Sequence, residues 1–422
     1  MSFTKPKGTY DVLPNEVYRW HYIEEIVRSL AHTHRFKEIR TPMFESSEVY
    51  HRSAGETSDV VSKETYDFID RGDRPMTLRP EGTAGAVRSF IENKLHATPG
   101  VTKLFYIGPM FRYERQQKGR YRQHMQFGVE AFGSPSPMQD VEVIALACAV
   151  IERLGLNNNV RVKLNSLGSA DSRTAYREAL LAHFQTAKAS LCSDCQIRYE
   201  KNPLRILDCK ADADKEIMKS VPAIIDHLTA EDALYFDKVK AGLDAIGIAY
   251  EYDANLVRGF DYYTHTIFEV QADIPGFGAQ TTLCGGGRYD GLVAMLGGPE
   301  TPGVGFGMGL ERMLLALEAV EAKIEKKDTI DLFLLPMGDA GEKLTAKILK
   351  DVRLDDLVAD ADFSSRKLGA RFKLADDLKA KFVIVIGDDE VDTGVVSIKR
   401  LADGQTENVN LNELSHYVKA NG

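Results

Sequence analysis

Two common nucleotide fingerprints are missing from this 422-residue chain. It has no Gly-Lys dipeptide and therefore no P-loop, and no G-x-G-x-x-G and therefore no dinucleotide-binding turn. H-E-x-x-H is absent as well, which removes one large class of zinc hydrolase. No apolar run approaches the roughly 18 residues of a membrane span. The opening MSFTKPKGTYDVLP carries no apolar signal-peptide core, so a cytoplasmic protein without a membrane partner is expected.

Cysteine is scarce and odd in number: Cys148, Cys192, Cys195, Cys209 and Cys284. That fits reduced thiols better than a disulfide framework. Cys192 and Cys195 form a C-x-x-C, with Cys209 beyond it. A structural zinc site needs four ligands, and no fourth Cys or His lies at a usual spacing; His227 is distant. The expectation is reduced structural cysteines and no metal site, although the sequence does not decide whether Cys192, Cys195 and Cys209 bind one.

Positive charge is in deficit overall, with 53 Lys and Arg against 62 Asp and Glu and a formal net charge of −9. Such a chain does not coat itself in nucleic acid, but a local footprint remains open. One exists. Lys103, Arg112, Arg115, Lys118, Arg120 and Arg122 face a single acid, Glu114, between residues 103 and 124. A second basic excess lies in SSRKLGARFKLADDLKAK (364–381).

What is present reads as more than one domain, at about 100–200 residues each. Apolar spacing predicts an amphipathic helix over 15–34 (Val17, Trp20, Ile23, Ile26, Val27, Leu30), then a short strand that Pro42 ends. A helix is predicted at 84–95. Strands at 103–108 and 123–132, joined by a polar loop around Gln116, Gln117, Lys118 and Gly119, predict a long antiparallel hairpin. A helix at 139–154 and a strand at 160–166 follow. Residues 170–245 read as polar and helical, and strands return at 248–253, 265–273 and 279–284. After residue 329, apolar strands alternate with helices, the grammar of a small α/β domain.

Arginines at element ends suit phosphate recognition, because a guanidinium is a rigid fork of donors that stays charged. Arg112 ends the first hairpin strand; a surface ion pair with Glu114 is the alternative. In GVGFGMGLER, glycines at 303, 305, 307 and 309 strip one side-chain row from a strand, and Arg312 opens the next helix. A tight strand-to-helix packing joint is the alternative there. LVRGFDYYTHTIFEV (256–270) sets Arg258, Asp261, Tyr262 and Tyr263 before a strand, and GGGRYDGL (285–292) reads as a glycine-rich turn carrying Arg288 and Tyr289. RPEGT (79–83) adds polar groups. Each turn alone could be aromatic packing between strands.

These stretches resemble a known family. GPMFRYER (108–115) resembles the second signature motif of class II aminoacyl-tRNA synthetases, and GVGFGMGLERML (303–314) the third; the helix, strand and Pro42 near the start fit the first. LVRGFDYYTHTIFEV and GGGRYDGL resemble the two motifs particular to histidyl-tRNA synthetases of the bacterial type. The resemblance runs from KPKGTYDVLP (5–14) to KFVIVIGDDE (381–390).

The resemblance implies an α+β fold: an antiparallel six-stranded catalytic sheet flanked by helices. It implies a catalytic domain over 1–325, interrupted at about 170–245 by a largely helical insertion, and an α/β anticodon-binding domain over 326–422. The implied substrates are L-histidine, ATP with Mg2+, and tRNA(His), met at its acceptor end and anticodon, with no tightly bound cofactor. A homodimer is implied through the first helix and the Pro42 strand.

Residue by residue, Arg112 and Arg258 resemble the catalytic arginines at the α-phosphate, and Arg312 the arginine that holds the γ-phosphate. Glu114, Arg120 and Gly309 complete the implied ATP site. Glu81, Thr83, Arg112, Gln126, Glu130, Arg258, Tyr262 and Tyr263 form the implied histidine site. Within it, Glu130 and Tyr263 read the imidazole, while Glu81, Thr83 and Gln126 hold the α-amino and carboxylate groups. Without the resemblance, Glu130 reads as a strand-end surface carboxylate. Arg115, Gln117 and Lys118 would meet tRNA, as would the basic run at 366–381. Glu311 is the one carboxylate singled out for Mg2+.

Rival readings fail on the residues. Class I synthetases carry HIGH and KMSKS, both absent here. Threonyl and prolyl enzymes share the C-terminal domain type but not LVRGFDYYTHTIFEV. A regulatory paralogue from histidine biosynthesis lacks the C-terminal domain and loses arginines that this chain keeps at 112, 258 and 312.

Overall fold

Apolar residues alternating with polar or small ones build the longer strands of the first unit, Met1–Ile324. They are β1 (Lys37–Glu38), β2 (Phe44–Ser46), β3 (Tyr66–Ile69), β4 (Pro75–Leu78), β5 (Thr102–Phe111), β6 (Gln123–Phe132), β7 (Val160–Ser166), β8 (Glu251–Tyr252), β9 (Thr264–Ala272), β10 (Thr282–Arg288) and β11 (Gly303–Gly309). The helices are α1 (Val17–Thr33), α2 (Ser47–Ala54), α3 (Thr83–Glu92), α4 (Pro137–Arg153), α5 (Ala170–Phe184), α6 (Ser193–Lys201), α7 (Ala230–Ala245), α8 (Leu292–Met295) and α9 (Leu310–Ala319). This computed structural model describes residues 3–54, 63–114, 118–277, 281–326 and 328–422.

The large sheet runs β1-β5-β6-β11-β10-β9-β7-β8. It corrects the expectation of an antiparallel six-stranded sheet: the sheet has eight strands and is mixed. The six central strands are antiparallel to their neighbours. At each edge a two-residue strand joins in parallel, β1 on β5 and β8 on β7. Strands that short carry no periodicity from which their pairing could be read. The fold class remains α+β.

Register decides what each face of this sheet carries. Gly305 of β11 stands opposite Glu130 of β6 and Gly287 of β10; Gly307 stands opposite Gly128 and Gly285. Gln126 is opposite Gly309, and Glu269 of β9 opposite Gly285. Residues opposite one another share a face, so this polar, glycine-rich row lies on one side. The intervening residues Phe127, Val129, Phe268, Val270, Phe306 and Met308 point the other way. They are buried with Trp20, Ile23 and Val27 of α1, Ile144 and Leu146 of α4, and Met313 of α9. Each fully buried side chain of this kind contributes about 1.5–3 kcal/mol. The glycines at 285–287, read from sequence as a turn, are the end of β10.

One buried ion pair fastens this core. Arg288 and Asp140 are both fully buried, and Arg288 Nε donates to Asp140 Oδ1 at 2.9 Å. Asp140 also accepts from Thr266 at 2.6 Å and from Tyr235 at 3.0 Å. Arg288 therefore ties β10 to α4, a structural role that glycine-rich surroundings disguised.

A smaller sheet, β2-β4-β3, is antiparallel. It and its approach leave Met43, Phe44, Phe68 and Ile69 exposed, at 50%, 51%, 41% and 64%. By contrast α1 uses its apolar face on its own chain. Between α6 and α7 the chain passes through short 3-10 turns at Pro203–Ile206, Glu216–Ser220 and Ile224–His227.

The second unit, Glu325–Gly422, holds β12 (Ile330–Pro336), β13 (Ala359–Ala361), β14 (Ala380–Ile386), β15 (Val395–Arg400) and β16 (Thr406–Asn410). The order is β13-β12-β14-β15-β16, parallel around β12 and antiparallel from β14 onward. Helices α10 (Gly338–Leu354), α11 (Leu368–Asp377), α12 (Asp388–Thr393) and α13 (Leu414–Asn421) complete it. Leu332, Leu334, Ile348, Phe382 and Ile384 form its core. Arg371 drops out of the basic run, because it is buried and donates to Pro336 O at 2.8 Å. Arg366, Lys367, Lys373 and Lys379 stay exposed.

Candidate active site

A cavity of about 150 Å³ opens over the glycine-cleared face of the large sheet. Arg112, Glu114, Arg120, Gln126, Arg258, Gly309 and Arg312 all line it. Seven sequence-predicted residues from five separate segments thus meet at one place.

Each arginine is aimed by a specific tie. Arg112 leaves the end of β5, and its Nε donates to Pro80 O at 2.8 Å. Its Nη1 is 3.9 Å from Glu114, so the anticipated ion pair is loose. Arg120 takes Glu114 instead, at 3.0 Å. Arg312, in the first turn of α9, donates from Nε to Gly119 O at 3.2 Å and from Nη1 to Thr282 O at 2.5 Å. Burial, then Arg120, pulls the Arg312 pKa down, although Glu114 partly offsets this. Crowded cations of this sort favour an anionic ligand.

Arg258 Nη1 donates to Glu269. Its guanidinium lies where a Cβ on Gly285 would be, and its carbon is 5.8 Å from the Tyr263 ring centroid. Arg258 Nε and Gln126 Oε1 are buried without a hydrogen-bond partner among the described residues. Unsatisfied polar atoms are rare in folded interiors and need an explanation; a ligand in the cavity supplies one.

Behind the cavity lies a buried acidic cluster. Glu130 Oε1 accepts from Thr83 Oγ1 at 2.7 Å and from Tyr106 OH at 3.1 Å, and Oε2 accepts from Tyr289 OH. Glu130 is fully buried, which corrects the surface-carboxylate alternative. Burial pushes its pKa up to about 8, against the pull of the hydrogen bonds from Tyr289 and Thr83. Glu81 accepts from the backbone N–H of Thr83 and, at 2.9 Å, of Ala84, at the start of α3. Its pKa is also raised by burial. Tyr262 and Tyr263 pack with ring centroids 4.6 Å apart, and Tyr262 meets Tyr289 edge-on at 5.7 Å.

Glu81, Thr83, Glu130, Tyr262 and Tyr263 are therefore buried together rather than on the cavity wall. Lys118 is exposed on the hairpin loop. Arg115 and Gln117, expected to meet tRNA, lie outside the described residues.

Sequence reasoning missed several participants. Glu269 holds Arg258, and only the β9–β10 register places it there. Tyr289, a turn residue by sequence, donates its hydroxyl to Glu130 across the sheet. His124 lines the cavity, and burial together with Arg112 and Arg312 lowers its pKa to about 3, so it is neutral at working pH. Glu311, the carboxylate singled out for Mg2+, does line the cavity, and its Oε1 accepts from Tyr10 OH and Met125 N at 2.9 and 2.7 Å. Burial raises the Glu311 pKa to about 7.

Comparison with known proteins bears on the whole chain. A family model described as histidyl-tRNA synthetase matches residues 8–313, and one described as anticodon binding domain matches residues 331–421. A histidine–tRNA ligase of Bacillus subtilis (strain 168) is 50% identical over 422 residues, covering 100% of this chain and 99% of its own. The corresponding ligase of Bacillus cytotoxicus is 51% identical over 419 residues, with 99% of each covered. The crystal structure of apo S. aureus histidyl-tRNA synthetase matches with a TM-score of 0.85 at 42% identity, over 99% of this chain and 100% of that one. The α+β architecture is that of a class II synthetase carrying an anticodon-binding domain. With both of its parts matched and the large relatives aligned end to end, the chain belongs to the histidyl-tRNA synthetase family.

Proposed function

We propose that this chain is a histidine–tRNA ligase whose cavity is the adenylation centre. A carboxylate oxygen of L-histidine attacks the α-phosphorus of ATP, supplied as its Mg2+ complex, and pyrophosphate leaves. The 3′-terminal ribose hydroxyl of tRNA(His) then takes the histidyl group and AMP leaves.

Displacement at phosphorus gathers negative charge, so the protein contributes mainly position and electrostatic stabilisation. Arg112 and Arg258 act on the α-phosphate. Arg312 holds the γ-phosphate, with Glu114, Arg120 and Gly309 shaping the rest of the nucleotide site. Glu130 accepts from an imidazole N–H, Tyr263 frames the ring beside Tyr262, and Glu81, Thr83 and Gln126 orient the amino acid's charged ends. A pocket built to hydrogen-bond its substrate rejects apolar analogues by about 10⁴-fold or more. The single observation that carries this reading is the convergence of Arg112, Arg258 and Arg312 on one cavity, adjoining a buried carboxylate ringed by hydroxyls.

The chain acts as a homodimer in the cytoplasm. Support for the dimer is the exposed apolar surface at Met43, Phe44, Phe68 and Ile69, since contiguous patches of that kind mark interfaces. Phe44→Glu should give a monomer by light scattering. Arg115, Gln117, Lys118 and the exposed basic residues of 366–381 contact tRNA phosphates.

ATP–pyrophosphate exchange, run with each amino acid in turn, tests the proposal. Exchange driven by histidine alone is expected. Exchange with threonine or proline, or with none, contradicts the reading.

A further inference from the structure

Outside the active site, three thiols and a carboxylate converge in the insertion. Cys192, Cys195, Cys209 and Asp212 each bring one ligand atom, and these atoms lie within 4.8 Å of one another. We propose that they form a structural zinc site, Cys3Asp, that staples residues 192–212 and so positions the Arg258 segment.

The geometry is that of a thiolate cage rather than a disulfide. Cys192 Sγ and Cys209 Sγ are 3.7 Å apart, whereas a disulfide needs about 2.05 Å. Two sulfurs held at about 2.3 Å in a tetrahedron around zinc stand about 3.8 Å apart. The C-x-x-C turn is already wound for ligation, since the backbone N–H of Cys195 points to Cys192 Sγ at 3.4 Å. A backbone N–H aimed at a ligating sulfur orients it, as outer-shell partners of metal ligands do.

The fourth group escapes a search confined to Cys and His. Asp212 is almost wholly buried, with its side chain 1% exposed. The backbone N–H of Cys192 lies 3.2 and 3.0 Å from its two oxygens. Lys215 Nζ sits 2.7 Å from Oδ1. It offsets part of the negative charge of three thiolates and a carboxylate on a dication. Cys195 is fully buried, and Cys209 is 8% exposed. Zinc takes sulfur and carboxylate ligands together, and each thiol releases its proton to solvent on binding.

The segment has little else to hold it. From Asn202 to His227 it is short 3-10 turns and connections, and a metal cross-link substitutes for a missing helix or sheet. It also has work to do. Arg205, between Cys195 and Cys209 in the chain, donates to Arg258 O at 3.0 Å and to Gly259 O at 2.8 Å. Asn202 reaches Asp261 at 3.1 Å. The staple therefore backs the loop that presents Arg258 to the cavity.

The test is metal analysis of the full-length chain, prepared under reducing conditions and without chelator. About one zinc per chain is expected. Cobalt added to metal-stripped protein should give intense thiolate-to-metal charge-transfer absorption that zinc abolishes. Cys192→Ser with Cys209→Ser should abolish both signals, Cys148→Ser should leave them intact, and Asp212→Asn should weaken binding by roughly 10- to 100-fold. Stripping should slow histidine-dependent exchange and restore on zinc addition. The idea is overturned by reduced protein that takes up neither metal, by a native Cys192–Cys209 disulfide found by mass spectrometry, or by full metal content in the double variant. Should the variants not fold, the cobalt spectrum of the unmutated chain decides alone. Metal content is read independently of catalysis, so this result and the exchange assay can fail separately.

Discussion

Glu130 and Gly305 face each other on β6 and β11, and a methyl group on Gly305 would overlap Glu130 Oε2 and the carbonyl oxygen of Val129. The carboxylate occupies the space that the missing side chain leaves. Gly305→Ala should therefore displace Glu130 without touching the arginines. Overpacking of this kind costs about 1–3 kcal/mol. Misplacing a substrate-reading group lowers turnover by about 10²-fold. Histidine-dependent exchange should fall accordingly, with the ATP KM little changed. Equal damage to both substrates would mean that the glycine row serves only sheet packing.

Arg258 presents a different dependence. Its guanidinium is fixed by Glu269 on one side and by the bare backbone of Gly285 beneath. If it stabilises the developing charge at phosphorus, Arg258→Ala should reduce the exchange rate by about 10²–10³-fold and leave histidine affinity almost unchanged, as read by isothermal titration. Equal losses in rate and affinity would assign Arg258 to ground-state binding. Glu269→Gln should give a smaller loss in rate, because the arginine stays charged but is less firmly held.

How far the sequence carried this picture depended on the kind of signal. Long strands with strong alternation were legible: the predicted strand at 123–132 coincides with β6, and that at 160–166 with β7. Arg112 and Arg312 were legible because an element end places them. The two-residue edge strands were not, since pairing partners far away in sequence create them. Neither was the environment of Arg288 and Arg371, both of which looked like surface or ligand cations but are buried. An arginine's role is set by what faces it, and Asp140 lies 148 residues from Arg288 in the chain. Asp212 is hidden for another reason: it follows Cys209 by only three residues, but it is a carboxylate where a fourth Cys or His is the usual partner.

The Arg288–Asp140 pair allows a stability test. Removing one partner of a fully buried ion pair leaves an uncompensated charge and costs about 3–5 kcal/mol. Asp140→Ala should lose that much in urea unfolding, because Thr266 and Tyr235 lose their acceptor at the same time. Replacing both residues by apolar ones of similar volume should recover much of the loss. A loss below about 1 kcal/mol for the single variant would place the pair among weak, solvent-screened contacts.

Glu130 makes histidine recognition depend on pH. Burial raises its pKa from 4.5 to about 8, so the free site holds a neutral carboxyl at lower pH. The folded value lies above the unfolded one. The associated stability is therefore fully present below about pH 4.5 and fades as pH rises through 8. Recognition runs the other way, because only the ionised carboxylate is purely an acceptor for the imidazole N–H. The ratio of kcat/KM for histidine in the unmutated chain to that in Glu130→Gln should therefore rise with pH along a limb near 8. Taking the ratio cancels the titration of histidine itself. The hydroxyl of Tyr289 lowers the Glu130 pKa by donating to the anion, so Tyr289→Phe should move the limb to higher pH. A ratio that stays flat from pH 6 to 9 would mean that Glu130 binds histidine as a neutral donor, and the acceptor role assigned to it would fall.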